Sequence, residues 1–325
     1  MASTTLQALV SSLHYQVPGI ISVELRPVAP GKVFPVAVEA GAHIDLHLTE
    51  HLSRSYSLIN PGESHRYMVA VLRDRNSRGG SIHVHEKLRV GQIITIGRPR
   101  NHFPLNETGP HSVLLAGGIG ITPIYAMLQR IAALGQPAHL IYCASSRQNA
   151  AFIEDIQPLV DAKAGALSVH YHFEDEQGGR PDLAKLLDGH PQDSHFYCCG
   201  PLPMLDAYEQ TCKKLSLPNV HLERFSAAAL AESQTSKEGY SVELSKSGKT
   251  VQVAPGISLL DALINAGLNP EFSCREGVCG ACETKVISGD VDHRDLLLTK
   301  QEHQANKSMM ICVSGCRSGN LVLDC

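Results

Sequence analysis

Residues 273–282 read SCREGVCGAC, and residues 312–316 read CVSGC close to the carboxyl end of the chain. The first stretch has the cysteine spacing C-x4-C-x2-C, formed by Cys274, Cys279 and Cys282. Structural zinc sites more often pair one C-x2-C with a second one, or with two histidines. The sequence offers a single distant C-x3-C instead. This loop therefore indicates a metal centre other than a structural zinc site.

The spacing of the loop is that of plant-type [2Fe–2S] centres, in which one segment supplies three of four thiolates. Gly277 and Gly280 lie between the cysteines and permit the turns that such a loop needs. Cys312 is the natural fourth ligand. Cys316 remains a rival, because either cysteine of the C-x3-C pair could approach the cluster.

Length, composition and charge narrow the class of protein. The chain has 325 residues, 43% of them hydrophobic, which suits two or three domains. A net charge of -4 provides no basic surface, so we expect no nucleic acid or membrane partner. No apolar run reaches the roughly 18 residues of a membrane-spanning helix, and the first residues lack a secretory signal pattern. We therefore expect a soluble, cytoplasmic protein.

Three kinds of pattern follow one another along the chain. From residue 20 to about residue 100, short β-rich runs are separated by Pro, Gly and Asn, which predicts an antiparallel barrel. From residue 112, strands alternate with helices, which predicts a parallel sheet. After a small, polar stretch, two alternating strands and a short helix capped by Ser258 precede the cysteine loop.

These patterns predict a multi-domain chain with three fold classes. The expected domains are an antiparallel β-barrel over residues 1–108, an α/β parallel-sheet domain over 109–228, a linker over 229–239 and an α+β domain of β-grasp type over 240–325.

Two glycine-containing motifs could bind phosphate groups. Arg54 in RSYSLIN offers a guanidinium fork, and Gly79-Gly80-Ser81 opens a short helix with free backbone N–H groups. LLAGGIGITPI, residues 114–124, ends a strand and starts a helix, as a pyrophosphate site should. It is not the Rossmann fingerprint, because Pro123 stands where the third glycine would be.

Together these motifs resemble known families. The cysteine loop resembles that of plant-type ferredoxins, and Arg-x-Tyr-Ser followed by Gly-Gly-Ser resembles the flavin barrel of the ferredoxin–NADP reductase superfamily. GGxGxTP and CCGP, residues 198–201, match further signatures of that superfamily. The resemblance implies four cluster ligands: Cys274, Cys279, Cys282 and Cys312.

The same resemblance implies the cofactor-binding and catalytic residues. The flavin site is expected to contain Arg54, Ser55, Tyr56, Ser57, Val71, Leu72, Arg73, Gly79, Gly80, Ser81 and Phe225. The nicotinamide site is expected to contain Gly117, Gly118, Gly120, Thr122, Pro123, Ser145, Arg147, Cys199, Gly200 and Pro201. The catalytic roles fall to Ser57 near the flavin N5, to Cys199 facing the nicotinamide, and to Glu223.

The order of the domains resembles the phthalate dioxygenase reductase family, which includes vanillate demethylase reductases. It implies FMN, a [2Fe–2S] cluster and NADH as cofactors, since relatives with the ferredoxin at the front usually carry FAD. The implied function is that of the reductase component of a multicomponent Rieske-type oxygenase, of the aromatic-ring dioxygenase or O-demethylase class. We expect a monomer whose partner is the terminal Rieske non-haem iron oxygenase component.

Some alternatives stay open at this point. No acidic residue for the adenine ribose is obvious after the strand HLIYC, and Arg147 could bind a 2′-phosphate, so NADPH remains an alternative to NADH. A free-standing NAD(P)H diaphorase and a redox-sensing iron–sulfur module are the alternative functions. The sensor would not need the flavin and nicotinamide motifs, and the diaphorase would not need the ferredoxin domain.

Overall fold

The computed structural model describes residues 5–163, 165–226 and 238–325. The chain divides into two compact units, Met1–Arg224 and Phe225–Cys325. Most of the predicted linker, residues 229–239, lies outside the described residues, so the predicted domain boundaries stay predictions. Among the described residues, no helix has both the length and the apolar character needed to cross a bilayer.

The first unit begins with an antiparallel sheet. Its elements are β1 (Thr5–Val17), β2 (Ile20–Pro27), β3 (His43–Thr49), β4 (Leu52–Ser57), β5 (Tyr67–Leu72), α1 (Gly80–Glu86) and β6 (Ile93–Gly97). The strand order is β4-β3-β6-β1-β2-β5, and a bridge between Leu58 and Val69 joins the two edges. The predicted barrel is confirmed. It also contains β1, which lies before the residue where the β-rich pattern was recognised.

A parallel sheet flanked by helices follows, as the sequence predicts. Its elements are β7 (Ser112–Gly117), α2 (Ile121–Leu134), β8 (Ala138–Ala144), α3 (Ile153–Asp161), β9 (Leu167–Phe173), α4 (Glu174–Gln177), α5 (Leu183–Leu187), β10 (His195–Cys199), α6 (Leu202–Lys214) and β11 (Asn219–Glu223). The strand order is β11-β10-β7-β8-β9 with all pairs parallel.

The central strand β7 is buried along its whole length because both of its faces are covered. Leu114 packs in one apolar core with α2 and α3, and Leu115 packs in another with α5 and α6. The chain leaves β7 and its neighbour β10 toward opposite faces of the sheet. In open α/β sheets, ligands bind at such a switch point, outside the carboxyl ends of the strands.

The barrel and the parallel sheet share contacts within the first unit. Barrel residues such as Ile20 and Phe103 belong to the same apolar core as α2. The Gln129 side chain donates a hydrogen bond to the Ile59 carbonyl over 2.7 Å. The barrel is therefore packed directly against the sheet that follows it.

The second unit is a small α+β domain. Its elements are β12 (Tyr240–Leu244), β13 (Lys249–Val253), α7 (Leu259–Asn265), β14 (Glu283–Ser288), β15 (Val291–Asp292), α8 (Lys300–Ala305), β16 (Ser308–Met310), β17 (Gly315–Cys316) and β18 (Asn320–Leu323). The main sheet runs β13-β12-β18-β14-β16, and β12 and β18 are parallel. Ser258 caps α7 by accepting a hydrogen bond from the Asp261 N–H over 3.1 Å, as predicted.

Candidate functional site

The four predicted cluster ligands lie together in the second unit. Cys274 lies close enough to interact with Cys279 and with Cys312, and Cys312 lies close enough to interact with Cys282. All four residues are buried, and Cys282 and Cys312 also belong to the apolar core of this unit. The donor set is that of a [2Fe–2S] cluster, so the residues present fit this group.

The backbone of the loop points its N–H groups at these sulfurs. The Glu276 N–H donates to Cys274 Sγ over 3.3 Å, and the Cys274 N–H donates to Cys279 Sγ over 3.4 Å. Gly277 has φ 68°, and a Cβ there would lie 2.6 Å from Cγ2 of Val313. Such N–H groups stabilise the negative charge of cluster sulfurs. The glycine is needed because the loop passes so close to the segment that carries Cys312.

Cys316, the rival for the fourth position, points elsewhere. Its Sγ lies 3.5 Å from the Ser318 hydroxyl and 3.4 Å from the Asn320 carbonyl oxygen. It belongs to the short ladder in which β17 pairs with β15. The geometry therefore favours the predicted assignment of Cys312.

The predicted flavin phosphate residues meet at one end of β4. The Arg54 guanidinium donates to the carbonyl of Ser53 over 2.7 Å and to that of Arg78 over 2.9 Å. A Cβ on Gly80 would collide with the side chain of Arg54, so only glycine allows this approach. The Ser81 hydroxyl, at the start of α1, accepts from the Asp74 N–H over 3.1 Å. Together with Gly79, which has φ 95°, these residues form a compact basic corner.

Ser55, Tyr56 and Ser57 follow Arg54 in β4, and their side chains alternate between the two faces of the strand. The Ser57 hydroxyl is buried and makes no hydrogen bond within the described residues, which is costly unless a ligand supplies a partner. Burial raises the pKa of the neighbouring Tyr56, although Arg54 lowers it. Ser55 instead donates to the Asp45 carboxylate over 2.6 Å. The unpartnered Ser57 hydroxyl fits a bound flavin, whereas the Ser55 side chain is already engaged.

The other predicted flavin contacts lie outside β4, at the end of β5 and at the start of the second unit. At the end of β5, Val71 is buried, its carbonyl is hydrogen-bonded with His85 Nε2 at 2.9 Å, and Leu72 is 38% exposed. The Arg73 N–H donates to the Gly19 carbonyl over 2.7 Å. Phe225 belongs to the second unit and is 41% exposed. Their contact with a flavin stays a prediction.

The two nicotinamide motifs are in contact at the carboxyl ends of β7 and β10. A Cβ on Gly117 would lie 2.6 Å from Met204 Sδ and 2.8 Å from Pro201 Cδ, and one on Gly120 would collide with the Cys199 carbonyl group. A Cβ on Gly200 would lie 3.2 Å from the Cα of Gly117. The glycines are therefore required by the close approach of two backbones.

The first turn of α2 completes this region. The Thr122 hydroxyl donates to the Ile119 carbonyl over 3.0 Å, and Pro123 occupies a position of the helix where no N–H partner exists. Gly118 has φ 53°, and a Cβ there would meet open space. The helix start and this open backbone fit a dinucleotide phosphate.

Cys199 and Glu223 are neighbours on the paired strands β10 and β11. Cys199 is fully buried, and burial followed by the charge of Glu223 raises the pKa of its thiol well above the usual value. Glu223 is half-buried as a residue, but its Oε2 is shielded and makes no hydrogen bond within the described part of the chain. Burial raises the pKa of this carboxyl group to about 8. Near neutral pH both groups therefore hold their protons.

An acidic residue that the sequence analysis did not identify lies beside Arg147. The guanidinium is ion-paired with the Glu176 carboxylate over 3.1 and 3.3 Å and lies 4.5 Å from the centre of the Phe173 ring. The Ser145 hydroxyl accepts from the Asn149 side chain over 3.1 Å. Glu176 follows β9 rather than β8, which is why a search after HLIYC did not find it. The acidic run EDEQ after β9 was the available signal.

Comparisons with known families match two parts of the chain. Residues 242–317 match the 2Fe-2S iron-sulfur cluster binding domain, and residues 114–210 match the oxidoreductase NAD-binding domain. These ranges contain all four predicted cluster ligands and both nicotinamide motifs.

Similar proteins extend along nearly the whole chain. It is 44% identical over 316 residues to the phenoxybenzoate dioxygenase subunit beta of Ectopseudomonas oleovorans, with 97% of this chain and 96% of the relative covered. It is also 44% identical to the tetrachlorobenzoquinone reductase of Sphingobium chlorophenolicum, with 99% and 98% covered. Among solved structures, phthalate dioxygenase reductase superposes with a TM-score of 0.71 at 32% identity, covering 99% of this chain and 98% of that one.

Proposed function

This chain belongs to the phthalate dioxygenase reductase-like family, and from that premise we propose that it is the reductase component of a multicomponent oxygenase. In this role it passes electrons from NADH through a flavin to a [2Fe–2S] cluster and on to the oxygenase. The observation that carries the proposal is the 44% identity to a dioxygenase subunit over 97% of the chain. The gathered cysteines and the paired nicotinamide motifs support it, because both halves of an electron path are present.

The cofactors supply chemistry that the side chains lack. A flavin accepts a hydride and gives up single electrons, and a [2Fe–2S] cluster carries one electron at a time. We propose FMN as the flavin, held at its phosphate by Arg54, Gly79, Gly80 and Ser81. Ser57 would contact the ring, and its buried, unpartnered hydroxyl supports this assignment. Cys199 and Glu223 would contribute a shielded, neutral wall on the nicotinamide side.

NADH is the proposed electron donor, and the Arg147–Glu176 pair supports this preference. A 2′-phosphate would have to compete with the Glu176 carboxylate for the guanidinium, and its negative charge would lie near that carboxylate. A ribose hydroxyl carries no charge and could accept a hydrogen bond from the pair or donate one to it. The preference is therefore expected to be against NADPH.

We further propose that the partner is a terminal Rieske non-haem iron oxygenase component that acts on an aromatic compound. The reductase itself is proposed to be a monomer of the cytoplasm, where NADH is available and thiols stay reduced. No residue of the described sites is assigned to the organic substrate, which would bind to the oxygenase.

The test compares two cysteines of the same motif in the full-length protein. Cys312→Ser should lose the visible absorption of the cluster and the NADH-dependent reduction of cytochrome c, while reduction of ferricyanide continues. Cys316→Ser is the matched control and should keep all three, since its sulfur lies against Ser318 and Asn320. Equal loss of the cluster in both variants would contradict the ligand assignment.

A second candidate function is the direct reduction of a quinone. The 44% identity to a tetrachlorobenzoquinone reductase favours it specifically. The same pair of variants shows from which cofactor each acceptor takes its electrons. If a quinone takes its electrons from the flavin, Cys312→Ser should reduce quinones at the wild-type rate. If an oxygenase takes its electrons from the cluster, Cys312→Ser should not support the oxygenase.

A further inference from the structure

Three chemically reactive side chains meet in the second unit, apart from the four cluster cysteines. They are His293 and Asp295, which follow β15, and His303 on α8. The Nε2 atom of His303 lies 3.2 Å from each carboxylate oxygen of Asp295, and the Nδ1 atom of His293 lies 3.7 Å from one of them. One ligand atom from each residue lies within 4.8 Å of the other two.

Two of these three side chains are shielded from solvent. The Asp295 side chain is 0% exposed, that of His293 is 7% exposed, and that of His303 is 28% exposed. Neither ring nitrogen of His293 makes a hydrogen bond within the described residues. His293 stacks on the His303 ring and its Nδ1 lies 3.7 Å from Asp295, but a buried imidazole that makes no hydrogen bond is costly, which fits a position that a ligand would complete.

The charge of the group suits a cation. Asp295 brings a carboxyl group into a buried place, and the adjacent Arg294 is ion-paired with Asp292. Imidazole nitrogens and a carboxylate oxygen are ligand atoms that bind divalent transition metals.

We propose that His293, Asp295 and His303 bind one divalent transition-metal cation of the zinc type. Two ligands each about 2.0–2.1 Å from a tetrahedral ion lie about 3.4 Å apart, close to the 3.2 and 3.7 Å separations found here. Two imidazoles and one carboxylate suit zinc and its neighbours in the first transition row. Magnesium and calcium prefer oxygen ligands and are expected to be excluded.

The proposed site lies directly behind the cluster loop. The Leu296 N–H donates to the Gly277 carbonyl over 3.1 Å, and a Cβ on Gly277 would lie 3.1 Å from the Cα of Asp295. The Ser314 hydroxyl, between the two cysteines of CVSGC, donates to Asp295 over 3.5 Å. A bound ion would therefore tie α8 to the segment that supports the loop, and its role would be structural.

The test uses the full-length protein with its flavin and cluster in place, because empty cluster cysteines would themselves bind zinc. Iron content is checked first, and Zn²⁺ binding is then measured by calorimetry and by elemental analysis after equilibrium dialysis. The wild type should bind one Zn²⁺ per chain and gain thermal stability as Zn²⁺ is added. His303→Gln and Asp295→Asn should each weaken this binding by about 100-fold and abolish the gain in stability.

His51→Gln is the matched control, because His51 also lies beside a carboxylate, 4.0 Å from Glu50, but both side chains are almost fully exposed. It should bind Zn²⁺ as the wild type does. If Asp295→Asn fails to fold, His303→Gln alone decides, since that side chain lies partly at the surface. Unchanged Zn²⁺ affinity in His303→Gln, no Zn²⁺ binding by the wild type, or equal binding of Mg²⁺ would each overturn the proposal.

Discussion

The position of the Arg54 side chain depends on the absence of a side chain at Gly80. Its side chain lies across Gly80, where any Cβ would collide with it, and its guanidinium is held by two backbone carbonyls. The guanidinium therefore loses little further freedom when it binds a phosphate, which favours affinity.

Replacing Arg54 by alanine should release FMN. A charge-assisted contact to phosphate contributes on the order of 1.5–3 kcal/mol, so the dissociation constant should rise about 10- to 100-fold. Flavin fluorescence after dilution measures this directly. Arg130→Ala is the control, because Arg130 on α2 is also held by hydrogen bonds, in this case to the Glu107 carboxylate, and lies outside the β4–α1 corner. Unchanged FMN affinity at moderate salt would remove Arg54 from the site.

Glu223 is a second residue whose surroundings change its chemistry, because they alter the pKa of its carboxyl group. Burial disfavours the charged form of this carboxyl and raises its pKa from the ordinary 4.5 to about 8 in the folded protein. Between these two values the unfolded chain is ionised while the folded protein keeps its proton. The carboxyl of Glu223 therefore makes its largest contribution to the free energy of unfolding below pH 4.5, and this contribution decreases as the pH rises toward 8.

Glu223→Gln should remove this loss, because glutamine cannot ionise. The melting temperature of the variant, relative to wild type, should increase from pH 5 to pH 8 when measured without pyridine nucleotide. Glu107→Gln provides the contrast, since the hydrogen bond from Arg130 lowers the pKa of Glu107 and its effect should be constant over that range. A pH-independent difference for Glu223→Gln would show that the carboxyl is ionised in the folded state.

At the scale of elements, the nicotinamide region depends on two strand ends meeting. The β7–α2 turn and the β10–α6 turn approach until the backbone of one lies against the Cα atoms of the other. Gly120 and Gly118 belong to the same motif but have different reasons to be glycine. Gly120 has an ordinary helical φ and no space, whereas Gly118 has space and a left-handed φ of 53°.

Gly120→Ala should therefore be the more damaging of the two substitutions. The added methyl group has to displace the Cys199 backbone, and overpacking of this kind costs about 1–3 kcal/mol or more. Gly118→Ala should cost only about 1–2 kcal/mol, the penalty for a left-handed conformation. Thermal unfolding of the flavin-loaded protein measures both. A smaller loss for Gly120→Ala would mean that the two turns move apart easily.

At the scale of the whole molecule, the residues of the two kinds of chemistry lie in two different compact units. Ser57, Cys199 and Glu223 belong to the first unit, whereas the four cluster cysteines belong to the second. The first unit holds every residue proposed for hydride transfer except Phe225. The second holds the outlet for single electrons.

A protein shortened to end before Ser236 should therefore keep the reactions of its flavin with NADH. The shortened protein should still have its flavin reduced by NADH and should still reduce ferricyanide, while cytochrome c reduction falls to near background. Stopped-flow absorbance and steady-state assays measure the two activities, and full-length Cys312→Ser should behave alike. Undiminished support of an oxygenase by the shortened chain would show that electrons leave from the flavin.

Local pattern was sufficient for most of the architecture. Alternation in the barrel, strand–helix alternation after residue 112 and the Ser258 cap each involve residues close in sequence, so their outcome depends little on distant parts. The thirteen-residue strand β1 is the exception, because it lies before residue 20, where the predicted β-rich pattern begins. Its alternating apolar residues Ala8 and Val10, both fully buried, were the available signal.

The sequence by itself determined the cysteine loop and the glycine motifs, because their chemistry requires fixed spacings within one segment. Only the tertiary structure decided which cysteine of CVSGC turns toward the loop, since that depends on how β17 pairs with β15. It also brought Glu176 to Arg147 and His303 to Asp295. Arg147 and Glu176 follow the neighbouring strands β8 and β9 and are 29 residues apart, so their meeting depends on sheet order, which no local pattern of residues encodes. His303 and Asp295 are only eight residues apart, and the path of the chain between β15 and α8 decides that their side chains meet.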